Sequence, residues 1–154
     1  QTMNRNSEKK ENIRQIINSL SQILNALNSF SKELMKTFSI TGPQLGALRK
    51  IAQVQQISLS ELSPKMYLHI STVSGIADRL EAAGHIIRRR STEDRRVVYL
   101  SVTDKGKEMI DRAPHSGFGK MVHGLEELPV EKVQQIHDAI RLLVKMMEIK
   151  NNVQ

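Results

Sequence analysis

From Ile13 through Ile16/Ile17, Leu20, Ile23/Leu24, Leu27 and Phe30 to Leu34, apolar residues recur every three or four positions. That is the period of one helix face, and it predicts a helix over about 8–38. At 1.5 Å per residue such a helix projects well past a small domain. Near the other end Val133, Ile136, Ile140, Leu143, Val144 and Met147 repeat the pattern. A chain of 154 residues has one domain as its prior, and its own core cannot easily cover both seams. A second copy can. The expected architecture is therefore a single domain over 1–154, with dimerisation helices at 8–38 and 114–150 around a central lobe at 43–112. Pro114 to Leu128, with Gly117, Gly119 and Gly124, reads as a break that joints the centre to the last helix.

Shorter pieces make up the centre. Pro43 suits the first turn of a helix over about 43–54, capped by Thr41 or Gly42, with Leu45, Leu48, Ile51 and Ala52 inward. Ser58-Leu-Ser-Glu61 matches a capping box and starts a short helix of about 59–66. The stretch ISTVSGIADRLEAAG starts another, with Val73, Ile76, Ala77 and Leu80 inward and Gly84 as its stop. Two short helices joined tightly, the second with small polar residues outward, describe a helix-turn-helix. Ile86–Arg90 and Arg96–Val102 then read as strands, with Val98, Leu100 and Val102 on one face, and Thr103 caps a helix of about 104–112. The expected fold class is mainly α with a small β-hairpin: a winged helix-turn-helix flanked by the terminal dimerisation helices.

The hairpin carries an electrostatic problem. In RRRSTEDRRVVYLSV, five arginines crowd one turn, and like charges across a hairpin destabilise it. Residues 49–107 hold 11 Lys/Arg against 6 Asp/Glu, while the whole chain has a net charge of +7. Positive charge concentrated in the centre is the footprint of a polyanion partner. Double-stranded DNA fits best. Arginine keeps its charge, forks onto phosphate oxygens and suits narrow minor grooves. Five aromatics (Phe30, Phe38, Tyr67, Tyr99 and Phe118) are too few for a single-strand stacking platform. No apolar run approaches a membrane span, so no membrane partner is expected. No signal-peptide pattern opens the chain, which makes the cytoplasm the default location; Gln1 is no initiator, so Met3 reads as the natural start. The absence of cysteine excludes disulfides and thiolate metal sites.

Asp94-Arg95-Arg96, followed after five residues by Val102-Thr103-Asp104-Lys105-Gly106, resembles the wing motif of the MarR family of bacterial transcription regulators. The resemblance extends upstream through STVSGIADRLEAAGHIIRRR and, with the terminal helices, covers about Ile13 to Met147. It implies a homodimeric winged helix on pseudo-palindromic operators, usually a repressor, often released by a small aromatic acid. Carried over residue by residue, Ser71, Thr72, Ser74 and Gly75 face the major groove, Arg95 sits at the wing tip beside Arg96, and Asp94 braces the wing. Arg79, Arg88 and Arg90 complete the expected DNA-binding set. Three positions depart from the family pattern. Val102 replaces a leucine, His69 stands where a small cap is common, and Gly75 stands where a longer polar side chain often sits. Asp78 would repel phosphate unless Arg79 or a wing arginine pairs with it.

The resemblance also locates an effector pocket between the dimer helices and the central lobe, where Phe30, Met35, Phe38, Arg49 and His115 are the candidates. An enzyme is not expected. No H-E-x-x-H, G-x-S-x-G or phosphate-cradling glycine loop occurs, and nothing calls for a cofactor or a metal. Two alternatives stay open. One is a winged helix used only for protein contacts, without DNA binding. The other is a metal-sensing member of the family, with His115, His123 and His137 converging with Glu126, Glu127 or Asp138.

Overall fold

The computed structural model describes residues 2–147, with side chains from Asn4 onward; residues 148–150, the expected end of the last helix, lie outside the described residues. Helices α1 (Thr2–Phe38) and α2 (Gly42–Ala52) precede a short strand β1 (Ile57–Ser58) and helices α3 (Leu59–Met66) and α4 (Ile70–Ala82). Strands β2 (Ile86–Arg90) and β3 (Val98–Val102) form the hairpin, and α5 (Asp104–Arg112), α6 (Gly117–Glu127) and α7 (Val130–Met146) follow. The chain divides into two compact units, the first ending at Ser116 and the second starting at Gly117. Among the described residues no helix is long and apolar enough to cross a membrane.

The first unit holds the core. Leu45, Ala47, Leu48 and Ile51 of α2 meet Leu62 of α3, Val73, Ile76, Ala77 and Leu80 of α4, and Ile86 and Leu100 of the sheet. From α1, Leu34 is buried, with Phe30 and Phe38 packed at its edge. Upstream, the seam expected from Ile13 to Leu24 stands open to solvent. Within the second unit no described side chain is fully buried, and Val130 is 79% exposed.

Local chemistry sets the boundaries. Two capping boxes start helices. Thr41 and Gln44 exchange bonds at the head of α2, and Ser58 and Glu61 do so at the head of α3. Each satisfies backbone donors that the helix cannot satisfy itself. The third strand, β1, pairs antiparallel with β3 through Ile57–Leu100 and Ser58–Tyr99, giving the order β1-β3-β2. Two residues are too few to show a period of two, so β1 leaves no mark in the sequence pattern.

At the end of α4, Gly84 adopts φ +80°. It closes a Schellman turn in which His85 N–H donates to the Leu80 carbonyl and Gly84 N–H to the Glu81 carbonyl, both at 2.9 Å. This corner receives the head of α5. Thr103 donates its hydroxyl to the Gly84 carbonyl at 2.6 Å while accepting from Gly106 N–H at 3.1 Å, and Lys105 Nζ donates to the Ala83 carbonyl at 2.6 Å. The Thr-Asp-Lys-Gly segment thus ties α5 to the end of α4.

Three expectations need correction. Residues 117–127 form α6 rather than a break, because Phe118, Met121, Val122 and Leu125 hold a helical period that outweighs three glycines. Ala52 is exposed, and Ala47 takes the inward place assigned to it. The second strand starts at Val98 rather than Arg96, since Arg96 belongs to the turn.

Among the described glycines, Gly106 leaves the least room for a side chain. A Cβ there would meet the His85 carbonyl oxygen well inside van der Waals contact and stand 2.7 Å from a Val102 methyl. The His85 carbonyl, which also accepts from Thr103 N–H at 3.0 Å, cannot recede without parting the sheet from α5. Gly106→Ala is expected to lower stability by roughly 2–3 kcal/mol, read as a drop in urea midpoint at fixed protein concentration.

Candidate nucleic-acid interface

α4 turns Val73, Ile76, Ala77 and Leu80 into the core, and its 3.6-residue period therefore turns Ser71, Thr72 and Gly75 outward, all exposed. Ser74 is half-buried on the flank. Nothing lies within 4 Å of a Cβ built on Gly75, so the protein itself gives no steric reason for a glycine there. The N-cap His69 makes no side-chain capping bond. The head of α4 differs in this from α2 and α3.

The hairpin arginines fall into separate roles. Arg88 Nη2 meets Asp78 at 2.6 Å, and its Nε approaches Glu81 at 3.8 Å, with the Arg88 side chain only 28% exposed. The carboxylate on the outer face of α4 is therefore neutralised by β2 rather than by Arg79. Arg88 latches the hairpin to the helix, the second of the two partners that the sequence leaves open for Asp78. In the register, Arg88 pairs with Leu100 and Arg90 with Val98, so both stand on the core side of the sheet, while Arg89 pairs with Tyr99 on the opposite face. Arg79, Arg89 and Arg90 are exposed.

The turn is built by polar side chains. Ser91 Oγ accepts from the Glu93 and Asp94 backbone N–H groups at 3.2 Å, and Val97 N–H donates to the Asp94 carbonyl at 2.9 Å. Asp94 accepts from Arg96 three times: from the backbone N–H at 3.0 Å, from Nε at 3.1 Å and from Nη2 at 3.2 Å. The Arg96 side chain, then its backbone N–H, holds the Asp94 carboxyl below its ordinary value. The bracing role expected of Asp94 has a geometry. Arg96 is held from one side yet remains 91% exposed, and Arg95 stands exposed beside it.

The candidate effector residues differ in their exposure. Phe30 and Phe38 pack against the core edge, while Met35 and His115 are exposed. Arg49 Nη2 donates to the carbonyls of Ala113 and Pro114, both at 3.1 Å, clamping the end of α5. Burial pulls its guanidinium below the ordinary value, and its Nε is buried without a partner. Two open hollows lie elsewhere, one on α1 around Ile16 and Leu20, the other in the second unit around Leu125 and His137. Among the described residues no three histidine or carboxylate groups gather as a metal site. His123 instead faces Glu126 at 3.9 Å and His137 faces Asp138 at 3.2 Å.

Comparison with known proteins bears directly on this arrangement. A sequence profile of the MarR family matches residues 40–98, from the turn after α1 to the first residue of β3. The uncharacterized HTH-type transcriptional regulator YsmB of Bacillus subtilis is 30% identical over 104 residues, 68% of this chain and 71% of its own length. The chain belongs to the MarR family. The HTH-type transcriptional repressor MdtR of Bacillus subtilis is 38% identical over 74 residues, 48% of each chain. The structure of a MarR family protein from Bacillus stearothermophilus superposes with a TM-score of 0.54 at 26% identity, covering 91% of this chain and 98% of that one. The helix-turn-helix and hairpin described above are those of a MarR-family transcriptional regulator.

One residue of this MarR-type lobe joins the outward helix, the hairpin and α5. His85 is buried at their corner with Nδ1 lacking a partner. Burial first, then the Lys105 ammonium, holds its imidazole below the ordinary 6.5. Its native form is neutral. As pH falls through about 6.5, the unfolded chain takes up a proton that the folded chain resists, so this contribution is full above that pH and shrinks below it. The urea midpoint of the parent protein should fall further between pH 7.5 and 5.5 than that of His85→Gln.

Proposed function

We propose that two copies of the chain form a homodimer that binds a pseudo-palindromic operator in double-stranded DNA and acts as a repressor. The observation that carries this is the pairing of charges on the lobe. Asp78 is neutralised by Arg88, which leaves an outer α4 face of Ser71, Thr72, Ser74 and Gly75 without net negative charge, beside a hairpin with Arg90, Arg95 and Arg96 exposed. In the proposed mode α4 enters the major groove, with Arg79 at its flank. The hairpin crosses the backbone toward the minor groove, with Asp94 holding Arg96 in its extended pose. The repressor role draws on the similarity to MdtR, and the cytoplasm is where such an operator is found.

The dimer reading rests on apolar surface. Ile13, Ile16, Ile17, Ile23 and Leu24 of α1, and Val133, Ile136 and Ile140 of α7, are all exposed in the single chain. Patches of this kind mark association surfaces. The terminal helices, 8–38 and 114–150, would supply the interface and the 43–112 lobe would carry the DNA contacts. A small aromatic acid as effector fits the same reading. Arg49 would offer its unpartnered Nε to a carboxylate, with Phe30, Met35, Phe38 and His115 as its neighbours.

Selection of bound sequences from a random duplex pool tests the reading. Light scattering should give twice 17.5 kDa, and the selected half-sites should be centred about 34–36 Å apart. Inserting half a helical turn between them should reduce binding to the level of random DNA; unchanged binding would separate the protein from this mode.

The hairpin arginines are expected to act through phosphate. Arg95→Ala should weaken binding to operator and random duplex alike, lowering the salt slope by about one for each phosphate that is no longer neutralised. An altered base preference at constant slope would assign Arg95 to a groove edge instead.

A further inference from the structure

The first turn of α4 presents a side chain that neither the fold nor the contacts proposed above employ. Ile70 is the first helical residue, 52% exposed, and it is absent from the residues packed on the core. The helix gains nothing from it locally, because this position favours proline for its fixed φ and acids for the helix dipole. The same turn carries no acidic residue, and its N-cap makes no side-chain bond. At helical spacing Ile70 shares a row with Ser74 and Asp78, the flank that Arg88 approaches through Asp78. An aliphatic side chain therefore stands exposed in the first turn of the helix, at the head of the row that runs through Ser74 to Asp78.

We propose that Ile70 is a specificity-determining residue that packs on the C5-methyl group of a thymine in each half-site. The inference rests on the DNA-binding mode above. Recognition helices bring their N-terminal residues to the base edges, and the thymine methyl is the apolar group on the major-groove edge. Ser71 and Thr72 hydroxyls both donate and accept, so they discriminate weakly among base edges. Ile70 does the opposite. Against guanine N7 and O6 it would strip water from two acceptors and return no hydrogen bond, whereas against thymine it removes two apolar surfaces from water together. The residue thus supplies a preference that its polar neighbours cannot.

The methyl group can be deleted alone. With the full chain and the operator obtained by selection, each thymine of a half-site is replaced in turn by deoxyuridine, which keeps every hydrogen-bonding group. At one position the parent protein should lose affinity about fourfold for each half-site changed. Ile70→Ala should bind the thymine and deoxyuridine duplexes equally at that position, with an unfolding midpoint matching the parent's. If Ile70→Ala keeps the parent's full deoxyuridine penalty at every position, or the parent shows no penalty anywhere, the assignment of Ile70 is overturned while DNA binding stands. If selection enriches no duplex at all, the DNA-binding mode itself falls and this inference falls with it.

Discussion

Backbone lies on backbone where α5 crosses the corner between α4 and β2, and the geometry of the lobe depends on that contact. The His85 carbonyl accepts from Thr103 N–H at 3.0 Å and presses against Gly106. Thr103 and Lys105 close the remaining carbonyls of Gly84 and Ala83. A helix C-terminus carries unsatisfied carbonyls and partial negative charge, so an ammonium and a hydroxyl are the groups it needs there. The orientation of α4 relative to the hairpin is set by these bonds on one side and by Arg88 on the other. A lobe that must present a helix and a hairpin to one rigid partner gains from fixing their angle in the free protein, because ordering them on binding would cost affinity.

Positive charge in the hairpin has three distinct uses. Arg88 is spent on Asp78 and Glu81, Arg96 is steadied by Asp94, and Arg89, Arg90 and Arg95 remain exposed. Surface pairs of this kind contribute about 0–1 kcal/mol to stability, so their value lies in placement. Asp94 illustrates it. Its carboxylate organises the turn through its bonds to the Arg96 backbone and side chain, and leaves Arg96 almost wholly accessible to an outside anion.

Legibility in the sequence followed the range of the interaction. Ser58 with Glu61, Thr103 as a cap and Gly84 as a stop are bonds between neighbours in the chain, and each was readable from spacing alone. The winged helix-turn-helix class followed from them. Arg88 on Asp78 spans ten residues and two elements, and spacing could offer only a choice between Arg79 and a hairpin arginine. β1 depends on β3, which lies some forty residues away, and has no period of its own. In α6, three glycines suggested a break, yet an apolar period of three and four ran through them. The effector candidates rest on the resemblance, and spacing could not reveal the contacts that three of them make within the lobe. Arg49 already serves the end of α5, and Phe30 and Phe38 serve the core edge.

The terminal helices carry the apolar surface on which the proposed second copy would pack. α1 runs 37 residues, about 55 Å at 1.5 Å per residue, and of its described side chains Leu34 alone is fully buried. An isolated helix gains little from propensity, and most of the stability of a helix comes from packing an apolar face. The exposed Ile13–Leu24 seam has that face without the packing, and so does α7 in the second unit. An apolar seam of such length is matched most economically by an identical seam related by a two-fold axis, since a self-complementary surface evolves once and is used twice. The same axis would carry over to the lobes and fix the distance between two copies of α4. In that arrangement the exposed isoleucines far from any groove would set half-site spacing, and the small polar face of α4 would be left to choose the bases.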